Sequence, residues 1–306
     1  MVDLKNFFDK SNELFHLSSS IPKISLEEDC ILGIDEAGRG PVLGPMVYGL
    51  AYYPKRLQKD LNGDKFQDSK TLTEHERSSM FEKINSDEYQ IGWFATVLSP
   101  IVISNAMLKR SKYNLNALSH DTAISLIHKA IDSGIQVKEV FLDTVGPADK
   151  YQSKLEAIFP NIKIKVSNKA DSLYKIVSVA SICAKVIRDH SIKNWKFIEN
   201  ITYDKESYGS GYPSDPKTKE FLKQAFDPIF GFPTFARFSW STITKIMDEN
   251  GVPCEWEDEQ DEEEQENIKT FLKPKNSKKD CLKGKSSSFF KERNIEQVNS
   301  LSDIFK

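Results

Sequence analysis

The stretch that decides the fold reads Ile31-Leu32-Gly33-Ile34-Asp35-Glu36-Ala37-Gly38-Arg39-Gly40-Pro41. Its apolar beginning, residues 31–34, predicts a short buried strand, and two carboxylates, Asp35 and Glu36, follow directly. Adjacent side chains on a strand point to opposite faces. Because glycines come next, the chain can turn there, and we expect both acids to reach one ligand.

The second half of this motif, Gly38-Arg39-Gly40, indicates a phosphate or sugar ligand. Glycines on both sides of an arginine bring bare backbone amides and a guanidinium close to such a group. Clustered carboxylate oxygens are ligands for a hard divalent cation such as Mg²⁺. The alternative, solvated acids before a glycine-rich turn, explains an isolated Asp-Glu pair but not the whole string.

Two further acids lie beside apolar elements. Asp143 ends a strand predicted at 140–142, and Asp171 precedes a long helix predicted from Ser172 to about Trp195. The carboxyl end of a parallel strand is where ligands bind in open α/β sheets. Asp143 could equally cap the following turn, and Asp171 could equally be an N-cap.

The four acids together, Asp35, Glu36, Asp143 and Asp171, favour one kind of chemistry. The sequence places no nucleophilic serine or cysteine with them and no histidine at metal-ligand spacing. Carboxylates without histidine favour Mg²⁺ or Mn²⁺ over zinc. Such a set suits two-metal hydrolysis of a phosphodiester, in which the ions activate water and stabilise the attacking and leaving oxygens.

The rest of the pattern is that of a mixed α/β domain. Short connections between the first three predicted strands favour antiparallel pairing, and strand–helix units that add parallel strands follow. We therefore predict a mixed five-stranded sheet flanked by helices, with a smaller helical C-terminal region. The predicted strands are 31–34, 46–53, 89–98, 140–142 and 162–166, and the predicted helices are 73–84, 116–133, 148–158 and 172–195.

Composition excludes several classes of protein. No run approaches the roughly 18 apolar residues of a membrane helix, so we expect no membrane span. The four cysteines are scattered, without a C-x-x-C pair, which argues against a zinc site or a disulfide framework and predicts an intracellular, reducing location. Nine acids and no Lys or Arg lie in residues 255–266, which leaves 36 acids against 42 bases elsewhere. Such a body is compatible with a polyanion partner.

We expect four regions along the chain. A loosely held lead-in of residues 1–28 precedes the main domain at 29–250, and an acidic, then Lys-rich linker follows at 251–288. The last segment, 289–306, regains apolar residues and is either a docking segment for another polypeptide of a complex or a frayed terminus.

Two further strings suit substrate binding. Ser69 and Lys70, in Asp68-Ser69-Lys70, could hold a phosphate, or they form an ordinary polar turn. Tyr212, in Gly209-Ser210-Gly211-Tyr212-Pro213, could pack its ring on a sugar or base, or it merely covers its loop.

Seven strings, in this order, resemble those of the type 2 ribonucleases H, above all the eukaryotic catalytic subunits of that family. The resemblance covers residues 31 to about 250. The strings are 33–41, 68–70, 113–116, 142–146, 169–174, 209–213 and 237–240.

The resemblance implies a ribonuclease-H-like fold and an endonuclease. Such enzymes hydrolyse the RNA strand of RNA–DNA hybrids and cut 5′ of single ribonucleotides embedded in duplex DNA, leaving 3′-OH and 5′-phosphate ends. The resemblance further implies two accessory subunits and a nuclear location. The alternatives are a non-catalytic protein that binds hybrids as a scaffold, and another nuclease of the same fold such as a resolvase.

The resemblance also implies roles for individual residues. The four acids would bind two Mg²⁺ or Mn²⁺ ions together with substrate. The backbone of Gly38, Arg39 and Gly40 would contact the 2′-OH at the RNA–DNA junction, and Tyr212 would pack on the deoxyribose after it. The expected additional substrate contacts are Ser69, Lys70 and Asn114.

Overall fold

A computed structural model of the chain describes residues 4, 7–8, 12–58, 72–111, 113–144, 146–199, 201–204 and 207–253. Backbone contacts divide the chain into two units, Met1–Val252 and Pro253–Lys306. Ser69, Lys70, the acidic part of the predicted linker and the predicted segment 289–306 lie outside the described residues.

One mixed sheet forms the centre of the first unit. Its strand order is β1-β4-β3-β2-β5-β6, with β1 to β4 joined by antiparallel pairings and β5 and β6 added in parallel to β2. The mixed sheet that the sequence predicted is therefore present, with one strand more than expected. The strands are β1 (Phe15–Ser18), β2 (Cys30–Ala37), β3 (Met46–Pro54), β4 (Gly92–Leu98), β5 (Val137–Asp143) and β6 (Lys163–Ser167).

The additional strand β1 lies within the region that we expected to be a loose lead-in. It pairs with β4 from Phe15 opposite Val97 to Ser18 opposite Phe94. Four residues with alternating half-buried and exposed side chains give too short a periodic signal to predict a strand. Strand β4 is also shorter than predicted, because Asp87–Tyr89 forms a 3₁₀ turn and Gln90 is left-handed.

The helices of the described chain cover both faces of the sheet. The predicted capping box at α1 is present, since the Thr73 hydroxyl accepts from the Glu76 amide at 3.3 Å and the Glu76 carboxylate accepts from the Thr73 amide at 2.7 Å. The helices are α1 (Glu74–Ile84), α2 (Pro100–Met107), α3 (Leu115–Asp132), α4 (Ala148–Ile158), α5 (Ala170–Leu173), α6 (Lys175–Lys193), α7 (Pro216–Gln224) and α8 (Ser241–Asn250).

Helix α6 crosses the centre of the sheet at very short range. A side chain at Gly33 would place its Cβ 2.5 Å from the Ile176 carbonyl carbon, and one at Gly49 would place it 2.6 Å from the Ala180 oxygen. The small residues of α6, among them Ala180 and Ala184, are fully buried against these glycines. The tight packing predicted from these small residues is therefore present, and it brings α6 to the two central strands.

The sheet separates two hydrophobic clusters. Leu32, Ile34 and Leu50 belong to the cluster that contains residues of α3 and α4. Ile31 and Ala51 belong to the other, which contains residues of α6, α7 and α8. No helix among the described residues is long and apolar enough to cross a membrane.

Candidate active site

Asp35 and Glu36 lie near the end of β2, and they point to opposite faces. Asp35 is hydrogen-bonded to Ser181 of α6, whereas Glu36 is hydrogen-bonded to Tyr48, its cross-strand neighbour on β3. Our expectation that the chain turns directly after these acids was wrong. Strand β2 continues through Ala37, so the strand alternation still applies to them.

Asp143 and Asp171 approach the same edge of the sheet from the other side. Asp143 is the last residue of β5, which pairs in parallel with β2, and its carboxylate accepts a hydrogen bond of 2.6 Å from the Ala170 amide. Asp171 is nearly fully buried in the short helix α5. The N-cap alternative for Asp171 is wrong, since Lys169 occupies that position.

The break between α5 and α6 explains how Asp171 is placed. Tyr174 is extended, with φ −125° and ψ 117°, so the predicted single helix divides in two. Lys169 has φ 57°, a left-handed conformation that costs a non-glycine residue about 1–2 kcal/mol. Such conformations cluster at functional sites, where surrounding contacts hold them.

The acids interact electrostatically through the buried edge that they share. Burial, followed by the charges of Glu36 and Asp143, raises the pKa of Asp35 well above its ordinary value. Burial also raises the pKa of Glu36 to about 7, where Asp143 and Asp171 raise it further and Arg39 opposes the shift. The site therefore concentrates more negative charge than its own cation offsets.

This charge surplus makes the site suitable for a divalent cation. Carboxylate oxygens are the donors that hard ions prefer, and a cation among them would relieve the mutual repulsion. Within the described ranges, no three His, Cys, Asp or Glu side chains form a ready-made ligand cluster. The fit therefore rests on the type and charge of the donors.

Gly38, Arg39 and Gly40 are held from below by a buried arginine. Arg237 is fully buried, and its guanidinium donates to the carbonyls of Gly38 (2.6 Å), Arg39 (3.0 Å) and Gly44 (2.9 Å). This network fixes the backbone of the loop, and because it contains no carboxylate partner for Arg237, the carbonyl dipoles carry the compensation.

Tyr212 lies against this loop across a cleft. A Cβ at Gly40 would lie 3.0 Å from Tyr212 Cε1, and the tyrosine is 46% exposed. The cleft has a volume of about 290 Å³ and is also lined by Glu36, Gly38 and Arg188. The Nη2 atom of Arg188 is buried without a hydrogen-bond partner, which suits a wall that receives an anion.

Two residues predicted to bind substrate also have structural contacts. The Asn114 side chain accepts from the Ala117 amide at 3.0 Å and so caps α3. The Arg39 side chain crosses to α3, where its guanidinium bonds Asn116 and Ser119. A backbone role for Arg39 is compatible with this contact, whereas a guanidinium that reaches for substrate is not what the structure places here.

Several residues of the site were not found from the sequence. Tyr48 and Ser119 carried no signal, because their partners lie on other elements. Arg237 and Trp240 belong to a string to which we gave no role, yet the Trp240 indole donates to the Gly40 carbonyl at 3.1 Å, and the Arg237 guanidinium lies 4.8 Å from the Trp240 ring centre. A buried arginine cannot be distinguished from an exposed one by sequence periodicity.

Comparisons with known proteins agree with this architecture. The family described as Ribonuclease HII matches residues 32–243. One of the ribonuclease H2 subunits of Bos taurus is 49% identical over 302 residues, covering 98% of this chain and 100% of that protein. The same subunit from Homo sapiens is 48% identical with the same coverage, and that from Arabidopsis thaliana is 48% identical over 77% of this chain and 79% of its own.

Solved structures show the same fold. The ribonuclease H2 of Pyrococcus horikoshii has a TM-score of 0.57 and 32% identity, covering 72% of this chain and 98% of its own. The ribonuclease HII of Archaeoglobus fulgidus, solved in a complex with PCNA, has a TM-score of 0.55 and 26% identity, covering 75% and 98%. The predicted α/β, ribonuclease-H-like fold is thus confirmed.

Proposed function

Since the chain belongs to the ribonuclease HII family, we propose that it is the catalytic subunit of a ribonuclease H2 that also cuts 5′ of single ribonucleotides in duplex DNA. Its membership makes it a hydrolase that acts on RNA–DNA hybrids. Cleavage would leave 3′-OH and 5′-phosphate ends.

The observation that carries this proposal is the joint position of two features. Four buried or half-buried acids share one edge of the sheet, and the cleft that begins at Glu36 continues between the glycine loop and Tyr212. A carboxylate set without the cleft would suit many phosphodiester hydrolases. The combination supports hydrolysis next to a recognised sugar.

Asp35, Glu36, Asp143 and Asp171 would hold the divalent ions, which, when bound, lower the pKa of a water and stabilise charge on the reacting oxygens. The protein's own contribution is to fix these carboxylates. Ser181 and the Glu36 amide hold Asp35, the latter at 2.8 Å. The Ala170 amide holds Asp143.

Recognition of the ribose would fall to the loop and the tyrosine. The 2′-OH is the group that distinguishes the two sugars. Backbone amides and carbonyls of Gly38 and Gly40 can approach it because neither residue has a side chain, and Tyr212 supplies a flat face beside them. Arg237 keeps the loop in place during binding.

The curated relatives are named as one subunit of an enzyme, so this chain belongs to a multi-subunit complex. We propose that two accessory subunits complete a heterotrimer, that Mg²⁺ or Mn²⁺ is its metal, and that it works in the nucleus, where ribonucleotide-containing duplex DNA is found.

The decisive experiment is cleavage by the assembled complex with Mg²⁺, using a duplex with one embedded ribonucleotide and a continuous RNA–DNA hybrid. We expect both to be cut, the first on the 5′ side of the ribonucleotide. An all-DNA duplex is the control and should remain intact. Absence of cutting by the complex overturns the proposal, whereas inactivity of the isolated chain does not.

Tyr212 provides a sharper test of ribose recognition. Tyr212→Phe keeps the ring and should retain most activity on the single-ribonucleotide duplex. Tyr212→Ala removes the stacking surface, which is worth about 1–3 kcal/mol, so we expect kcat/KM to fall roughly 10- to 100-fold. Equal losses in the two variants would show that the hydroxyl, and not the ring face, is required.

A further inference from the structure

We propose that Arg39, Ser119 and Tyr48 form a positioning chain that fixes the Glu36 carboxylate and links its orientation to the glycine loop. The inference rests on the proposed function, since it concerns how a metal-binding carboxylate is held. None of the three side chains needs to touch the reacting atoms for the chain to act.

The chain is continuous across three elements. The Arg39 Nη1 atom lies 2.6 Å from the Ser119 hydroxyl on α3, and its Nη2 atom bonds the Asn116 carbonyl oxygen on the same helix. Ser119 is hydrogen-bonded to the Tyr48 hydroxyl on β3. The Tyr48 hydroxyl is in turn hydrogen-bonded to the Glu36 carboxylate on β2.

The chemistry of its two ends gives the chain a single direction. A guanidinium can only donate hydrogen bonds, and a carboxylate can only accept them. The Ser119 hydroxyl must therefore accept from Arg39 and donate to Tyr48, and the Tyr48 hydroxyl must accept from Ser119 and donate to Glu36. Each bond polarises the next one, so the chain acts as a unit.

Burial keeps the chain in this arrangement. Tyr48 and Ser119 are each 4% exposed, so water cannot easily replace either hydroxyl. Tyr48 lies directly opposite Glu36 in the β2–β3 register. The Asn114 cap fixes the start of α3 and hence the positions of Asn116 and Ser119.

The arrangement has a functional consequence. The backbone of Arg39 belongs to the loop proposed to contact the ribose, while its side chain ends at the chain that holds Glu36. A displaced loop would therefore disturb a carboxylate proposed to bind metal. Partners that orient metal ligands typically contribute 10- to 100-fold in metal affinity.

The test compares Tyr48→Phe with Tyr52→Phe in the full-length chain assembled with its accessory subunits. Tyr52 lies on the same strand and in the same hydrophobic cluster, and its buried hydroxyl has no hydrogen-bond partner within the described structure, which makes it a matched control. Mn²⁺ binding without substrate is measured by calorimetry, with the Asp35→Asn complex subtracted to remove binding elsewhere. Thermal unfolding verifies that each variant is folded.

We expect Tyr48→Phe to weaken Mn²⁺ binding about 10-fold and to raise the Mg²⁺ concentration needed for half-maximal cleavage similarly, while the KM for duplex changes little. Tyr52→Phe should match wild type. Adding Ser119→Ala to Tyr48→Phe should cause no further loss, since residues of one network are not additive. Arg39→Lys, which cannot bond both Ser119 and Asn116, should weaken Mn²⁺ binding as well.

Wild-type Mn²⁺ affinity in Tyr48→Phe, or equal losses in Tyr48→Phe and Tyr52→Phe, would overturn the positioning role. Unchanged affinity in Arg39→Lys would overturn the link to the loop. These outcomes are separate from the proposed function, because the wild-type complex must cleave the single-ribonucleotide duplex in either case.

Discussion

We expect Asp35→Asn to abolish cleavage of the single-ribonucleotide duplex by the assembled complex, with a loss of at least about 10³-fold, because a metal-ligand carboxylate contributes several kcal/mol of transition-state stabilisation. Asp35 is the most centrally placed of the four acids. It is 5% exposed and interacts with both Glu36 and Asp143. An amide in its place keeps the shape but removes the charge that would hold a cation.

The same substitution should make the metal-free protein more stable. Burial and neighbouring charges raise the pKa of Asp35, so its ionised form is unfavourable in the folded state. Asparagine removes this repulsion and can still accept the bond from the Glu36 amide. A gain of about 1 kcal/mol corresponds to a rise in Tm of about 2–4 °C.

Thermal unfolding in EDTA and cleavage in Mg²⁺ measure the two effects on the same preparation. The control is Asp29→Asn, an equal change in an acid whose side chain is 60% exposed, and it should alter neither activity nor Tm appreciably. If the Asp35→Asn complex cuts like wild type, the chain is a hybrid-binding scaffold and not the catalytic subunit.

The fold could be predicted largely because its signals are local. Strands β2 and β3 are apolar runs bounded by turn residues, and the capping box at Thr73 announces α1 within four residues. The small residues of α6 indicated close packing, since only short side chains permit such an approach. The four-residue strand β1 gave no comparable signal and is fixed by its pairing with β4.

The site was predictable in its acids and not in their supports. Carboxylates at strand ends are a sequence signal, but which way they point depends on where the strand stops, and β2 stops after Ala37. Arg237 bonds a loop almost 200 positions earlier in the chain, as its contact with Gly38 shows. Such supports follow from tertiary packing alone, and periodicity contains no information about them.

Gly38→Ser should strongly impair cleavage, because the loop has no room for a side chain. Gly38 has φ +81°, and a Cβ there would lie 2.1 Å from the Arg188 Nε atom and 2.8 Å from the Pro45 carbonyl oxygen. Arg188 donates to that same carbonyl at 3.2 Å, so its shift would break an existing bond. On the other side, Arg237 holds the Gly38 carbonyl at 2.6 Å. The loop can therefore yield only by losing one of these contacts.

We expect a loss of roughly 10²-fold in kcat/KM on the single-ribonucleotide duplex and a decrease of about 1–3 kcal/mol in the free energy of unfolding. Gly134→Ser is the matched control. Gly134 also has a positive φ of +86°, but its nearest neighbour, Leu26 Cδ2, is 3.5 Å away. It follows the 18-residue helix α3, whose length of about 27 Å separates it from the site. This variant should lose some stability from its backbone alone and cut normally. If both variants lost stability and cut equally well, the position of the loop would not govern cleavage, and ribose recognition would have to lie elsewhere along the cleft.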